Sequence, residues 1–146
     1  MAATERILPA LMAVVYGSAL IATWGFTSLV LDADVIAEHD AGPLLGPAMA
    51  AGAVLVTWAW LSRVRKAARP WGVPVLAAVS AWFVMLAIGS LGYAATAGEP
   101  AVVLLFAGRY APSPFLLLPA VLAGVTVVLA AVLAGRSPQA RSFDRR

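Results

Sequence analysis

Residues 71–97 read WGVPVLAAVSAWFVMLAIGSLGYAATA, with no Asp, Glu, Lys, Arg or His anywhere in the run. A helix rises about 1.5 Å per residue and the hydrocarbon core of a bilayer is about 30 Å thick, so this run crosses with modest tilt. In lipid the backbone must satisfy its own N–H and C=O groups, and so long an unbroken run does not suit a barrel strand; a helix fits. Residues 7–31, 43–62 and 112–135 have the same character. The 146 residues are 62% hydrophobic and 12% charged, whereas soluble domains run near 45–50% apolar and about 25% charged. The fold expected is all-α: one polytopic integral membrane domain, a four-transmembrane-helix bundle.

Charge distribution orients it. The net charge is +3, and nine of the ten basic residues fall in three segments: Arg6, the loop 63–70 with Arg63, Arg65, Lys66 and Arg69, and the tail 136–146 with Arg136, Arg141, Arg145 and Arg146. With four spans these segments share one membrane face. The opposite face carries the acidic loop 32–42, with Asp32, Asp34, Glu38 and Asp40, and the apolar loop 98–111, with Glu99 and Arg109. Basic residues are retained on the cytoplasmic side, so both termini are expected there (N-in/C-in), in a plasma membrane. The cations read as a topology signal and as attraction to anionic headgroups, not as a nucleic-acid surface.

The first run has a basic residue ahead of it and small residues at Gly17-Ser18-Ala19, as a signal peptide would. Its apolar character continues to Leu31, past a normal signal core, so a retained span is expected. There is no Cys, which removes disulfides, thiolate nucleophiles and cysteine-based metal or iron–sulfur sites. Prolines mark the helix starts: Pro9 in the first turn of the first span, Pro43 and Pro47, Pro70 and Pro74, then Pro112 and Pro114 with Ser113 between them. Gly98-Glu99-Pro100 ends the third.

Small residues four apart, Gly42 and Gly46, Ala48 and Gly52, Ala120 and Gly124, Ala131 and Gly135, allow close helix approach within the chain or between copies. Trp58, Trp60 and Trp71 flank the basic loop as an interfacial belt. Tyr16, Trp24 and Trp82 lie deeper and need hydrogen-bond partners when buried; Thr23, Thr27, Ser28, Thr57, Ser80 and Ser90 are the side chains on offer.

The stretch after Pro100 is too short to cross, and it reads as an interfacial helix, a re-entrant segment or an apolar loop. It ends at Arg109 and Tyr110, the best candidate partner or ligand site, with Glu99, Asp32 and Asp34 as acidic companions. The loop through Glu38-His39-Asp40 invites a metal, but it lacks the alternating ligands and central Gly of a calcium loop, and one His does not build a transition-metal site. No metal or cofactor is expected. The lone His also excludes a bis-histidine haem and a convincing Ser-His-Asp triad, and no glycine-rich phosphate loop ends in Lys.

Elimination leaves a non-catalytic accessory, assembly or scaffold component. Its expected partners are membrane lipids and either further copies of itself or a larger membrane complex. One alternative is an oligomeric channel or small transporter. The other is an outer-leaflet lipid-modifying enzyme, with Arg109 as charge clamp and Glu99 and Asp32 as acid or base. Heavy use of Ala, Val, Gly, Pro and Arg suggests a GC-rich bacterial genome.

Overall fold

The computed structural model describes residues 2–36, 42–63 and 72–135, with side chains from residue 7 to residue 134 of these. Glu38, His39, Asp40, Pro70, Trp71, the arginines and lysine beyond Arg63 in the basic loop, the tail and the Arg6 side chain lie outside the described residues.

Among the described residues five helices follow one another: α1 (Ala2–Leu31), α2 (Leu45–Arg63), α3 (Gly72–Ala97), the short α4 (Val102–Tyr110) and α5 (Pro114–Gly135). Four of them, α1, α2, α3 and α5, are long and apolar enough to span a membrane. Pro47, Pro74 and Pro114 sit in first turns, where the missing N–H has no helical partner to lose. Pro9 does not: α1 reaches back to Ala2, so this proline is inside the helix. The helix therefore tolerates a gap in its ladder that the sequence reading placed at its start.

Two helix ends are closed by left-handed residues. Gly98 (φ 72°) follows α3, and its N–H donates to Ala94 O at 2.9 Å. Asp32 (φ 47°) follows α1 in the same role, and the Ala33 N–H reaches Ser28 O at 3.2 Å. That is the six-to-one bond of a Schellman cap, with an aspartate where glycine is easier.

Buried positions recur every fourth residue: Leu45, Met49, Ala53, Thr57 and Leu61 on α2, and Val73, Ala77, Ala81, Met85 and Gly89 on α3. A helix turns about 100° per residue, so each step of four overshoots by about 40° and the buried stripe winds around the axis. Its two ends face different neighbours. Accordingly α3 packs against α2, α4 and α5, while α1 packs against α2 and α5.

The buried side chains form two clusters. The larger is aromatic, with Tyr16, Trp24, Met49, Met85, Phe106, Tyr110, Phe115 and Leu116 among its members; the smaller is aliphatic and includes Met12, Leu61, Val73, Ala77 and Val127. Gly52 and Gly124 serve contacts inside the chain, against α3 in both cases. At Gly124 the fit is set by backbone: a Cβ there would lie 3.1 Å from the Pro74 carbonyl oxygen. Gly46 faces open space. The outward faces remain apolar, with Phe26, Leu29, Leu55, Phe83 and Val121 all exposed. Continuous surfaces of that kind suit lipid rather than water.

Candidate functional site

The least regular part of the described chain is the passage from α3 through α4 into α5. It is also where the largest side chains gather. α4 turns Phe106 and Tyr110 inward and leaves Leu104, Leu105, Gly108 and Arg109 outward, the three-and-four spacing of one helix face. Gly89 makes room for Phe106, since a Cβ on it would sit 2.8 Å from the ring and 3.2 Å from the Met49 sulfur. Tyr93 tilts against Phe106 at 5.5 Å between centroids, and Tyr110 stacks on it at 4.3 Å. The rings hold α4 against α3 and reach α2 through Met49.

Prolines then interrupt the ladder. The carbonyl of Phe115 would accept from residue 119, but Pro119 has no N–H. The indole Nε1 of Trp24, on α1, donates to that oxygen at 2.7 Å. Likewise the Ala111 carbonyl would accept from the Phe115 N–H. That N–H goes instead to Ser113 Oγ at 3.3 Å, and the Trp82 Nε1 of α3 donates to Ala111 O at 3.0 Å. Ser113 with Pro114 forms an N-cap and first-residue pair for α5, and its carbonyl accepts from Leu116 and Leu117, both at 3.0 Å. Pro119 O takes a further bond from the Tyr16 hydroxyl at 3.2 Å. Aromatic donors on α1 and α3 thus complete the carbonyls that Pro119 and the Ser113 cap leave open.

The deep aromatics find their acceptors in the main chain, and of the hydroxyls on offer only Thr57 stands beside one of them, Tyr16. Tyr16, Trp24 and Trp82 all donate to main-chain carbonyls. Ser80 does accept an indole, but from Trp60 at 2.7 Å, tying α2 to α3. Trp60 also lies beneath the Arg63 guanidinium at 5.6 Å, and Trp58 is exposed. Thr23 and Thr126 bond back to carbonyls one turn earlier on their own helices. Thr57 and Ser90 are buried with hydroxyls that make no hydrogen bond among the described residues. Thr57 adjoins the Tyr16 phenol, whose proton is directed at Pro119 instead.

Of the five residues singled out from sequence, Arg109 and Tyr110 come together at the end of α4. The guanidinium carbon stands 5.9 Å from the Tyr110 ring centroid, within cation–π range. Glu99 lies in the turn before α4, with its carbonyl accepting from Val102 N. The part of α4 from Val102 to Arg109 alone rises about 10 Å, so Glu99 and Arg109 lie toward opposite ends of this short helix. Asp32 and Asp34 are exposed just after α1. Val35 and Ile36, next in the chain, pack on the aromatic cluster that holds Phe106 and Tyr110. The acidic segment and α4 therefore occupy the same end of the molecule. Among the described residues no group of three or more His, Asp or Glu is placed to hold a metal ion.

Sequence reasoning placed Ser113 at the start of the last span, as the structure does, but did not find the roles of Trp24 and Trp82. One signal was present: a proline five residues into an apolar helix orphans the carbonyl four positions earlier. Residues 2–145 match DUF6121, a family of unknown function, and the chain belongs to that family. No curated protein and no solved structure matches the chain.

Proposed function

We propose that this member of the DUF6121 family is a four-span bundle of the plasma membrane with both termini cytoplasmic. In this reading it acts as a non-catalytic accessory, assembly or scaffold component. The observation that supports it is how the interior is filled. Tyr16, Leu20, Met49, Met85, Leu116 and Val127 are wholly buried between the helices, where a transport path or substrate chamber would need space. The interior aromatic donors Tyr16, Trp24, Trp60 and Trp82 all bond across from their own helix to another part of the bundle. Such a body offers its outer faces for use, and those faces are apolar along all four long helices. The bias of cations toward the segments 63–70 and 136–146 supports the orientation.

Two measurements test the proposal. A reporter fused after the last residue is expected to be active only as a cytoplasmic reporter, and external activity would overturn the orientation. Gentle extraction into nanodiscs followed by native mass spectrometry is expected to yield the chain together with another membrane protein. A partner-free monomer would sink the accessory role, and a symmetric ring with a hydrated centre would favour the channel reading.

A further inference from the structure

We propose that the apolar cleft between α3 and α5 seats one acyl chain of an anionic glycerophospholipid, whose headgroup is drawn there by the cations that the sequence places beside that end of both helices. The inference rests on the membrane reading above, but not on which face is cytoplasmic.

The cleft exists because of residue size. Pro74 and Ala78 on α3 and Gly124 on α5 form its floor, where a Cβ on Gly124 would lie 3.1 Å from the Pro74 carbonyl oxygen and 3.4 Å from the Ala78 methyl. Val121, Val125 and Leu129, all exposed, line its α5 side. Small residues between larger ones leave a hollow of about 380 Å³ with no polar side chain in its lining. Its length is about 12 Å, the helical rise from Val121 to Leu129.

Those dimensions select the occupant. Water finds no polar partners in such a lining. A partner's helix is about 10–12 Å across with its side chains. It would ride on the valine and leucine rim and leave the floor empty, because α3 and α5 already touch beneath. Two turns of contact also fall well short of the roughly 800 Å² that a stable interface buries on each partner. A hydrocarbon tail is thin and flexible, and it supplies the dispersion contacts that an empty hollow forfeits.

Charge selects the headgroup. α3 and α5 run antiparallel, since Pro74 meets Gly124 while Trp82 reaches back to Ala111, and Val73 shares a buried cluster with Val127. The start of α3 and the end of α5 therefore share one end of the bundle. Gly72, which opens α3, comes three residues after Arg69, and Gly135, which closes α5, is followed at once by Arg136. A chain spans at most about 3.6 Å per residue, so connectivity alone keeps the two Cα atoms within about 11 and 4 Å of those helix ends. The segments 63–70 and 136–146 hold eight of the ten basic residues and a single acid, Asp144. Basic clusters beside the membrane end of a helix pair attract anionic headgroups. The first turn of α3 adds orphan N–H groups and a dipole of the same sign. A carbon-lined cleft under a cationic rim fits a lipid with an anionic head.

The test places the full chain in nanodiscs of equal parts phosphatidylglycerol and phosphatidylcholine. Native mass spectrometry reads which lipid stays bound as collision energy rises. The wild type is expected to retain one phosphatidylglycerol about tenfold over phosphatidylcholine. Val125→Phe fills the cleft from an exposed position and should cut retention about tenfold, and Val121→Phe on the same side should act alike. Leu55→Phe, which adds the same bulk to an exposed position of α2, should leave retention unchanged. Arg69→Gln combined with Arg136→Gln should bring the two lipids within about twofold of each other. Unchanged far-ultraviolet circular dichroism would show that the variants fold. Wild-type retention in both phenylalanine variants of the cleft, or equal retention of the two lipids by the wild type, would overturn the proposal. So would a homodimer that those two variants dissociate, which would give the cleft to a second copy. A monomer free of any protein partner would end the accessory reading and leave these lipid ratios fully readable.

Discussion

If Trp24 is present to complete the main chain of α5, its value must depend on Pro119. Trp24→Phe keeps an aromatic ring in the buried position and removes the Nε1–H that donates to Phe115 O at 2.7 Å. The carbonyl is then left in a dry interior with no donor, which costs about 1–3 kcal/mol for a buried group. Measured interhelical bonds in membranes average about 0.6 and reach about 1.7 kcal/mol, so about 1–1.5 is the expected loss. Pro119→Ala restores a backbone N–H four residues beyond Phe115, and that N–H closes the helical bond. In the Pro119→Ala background the tryptophan is redundant at this oxygen, and only its ring volume still matters. The volume loss is common to both backgrounds and cancels in a double-mutant cycle. Reversible unfolding by SDS titration in micelles, followed by far-ultraviolet circular dichroism, should give a coupling of about 1 kcal/mol between the two positions. If Trp24→Phe costs the same in both backgrounds, within about 0.3 kcal/mol, the repair argument is wrong.

Three further outcomes follow from the same geometry. Trp82→Phe and Ser113→Ala should each speed hydrogen exchange in a peptide covering residues 108–117, with a loss of about 1 kcal/mol apiece, while exchange in α2 stays unchanged. Gly124→Ala should lower stability by about 1–2 kcal/mol, because the Pro74 carbonyl cannot move away from the new methyl, whereas Gly46→Ala, facing open space, should be neutral or slightly stabilising in the same SDS titration. Asp32→Gly should raise the SDS midpoint by an amount equivalent to about 0.5–1 kcal/mol, and Asp32→Val should lower it by about 1–2 kcal/mol, since the left-handed cap penalises a β-branched residue most. Asp32→Asn, which removes the charge but tolerates the conformation, separates the cap from the unfavourable carboxylate at a helix C-terminus.

The long helices could be read from sequence because their signal is an absence. A run such as residues 71–97 contains nothing that lipid would reject, and its ends are marked by Pro74 inside the start and Gly98 past the finish. Residues 102–110 gave no such signal. Nine residues are too few for a span and their period is compatible with several states, so only the rings of Tyr93, Phe106 and Tyr110 decide that they form a helix against α3. Asp32 as a helix cap was illegible for a different reason: aspartate competes for turns, caps and solvated loops alike, and its φ alone distinguishes them. For the candidate site, the sequence placed Arg109 beside Tyr110 but gave no depth for either. Depth comes from Trp82 and Ala111, 29 positions apart, a pairing that no local pattern encodes. The open carbonyl of Phe115 could be inferred from Pro119, while the identity of its donor, 91 positions earlier on α1, could not.

The bond from Trp24 to Phe115 also has a consequence for biogenesis. α1 precedes α5 in the chain, so the donor is synthesised well before the oxygen it must reach. Until they meet, α5 carries an uncovered polar atom at a depth where nothing else will hydrate it. Burial of that oxygen therefore waits until α1 and α5, far apart in the chain, have met.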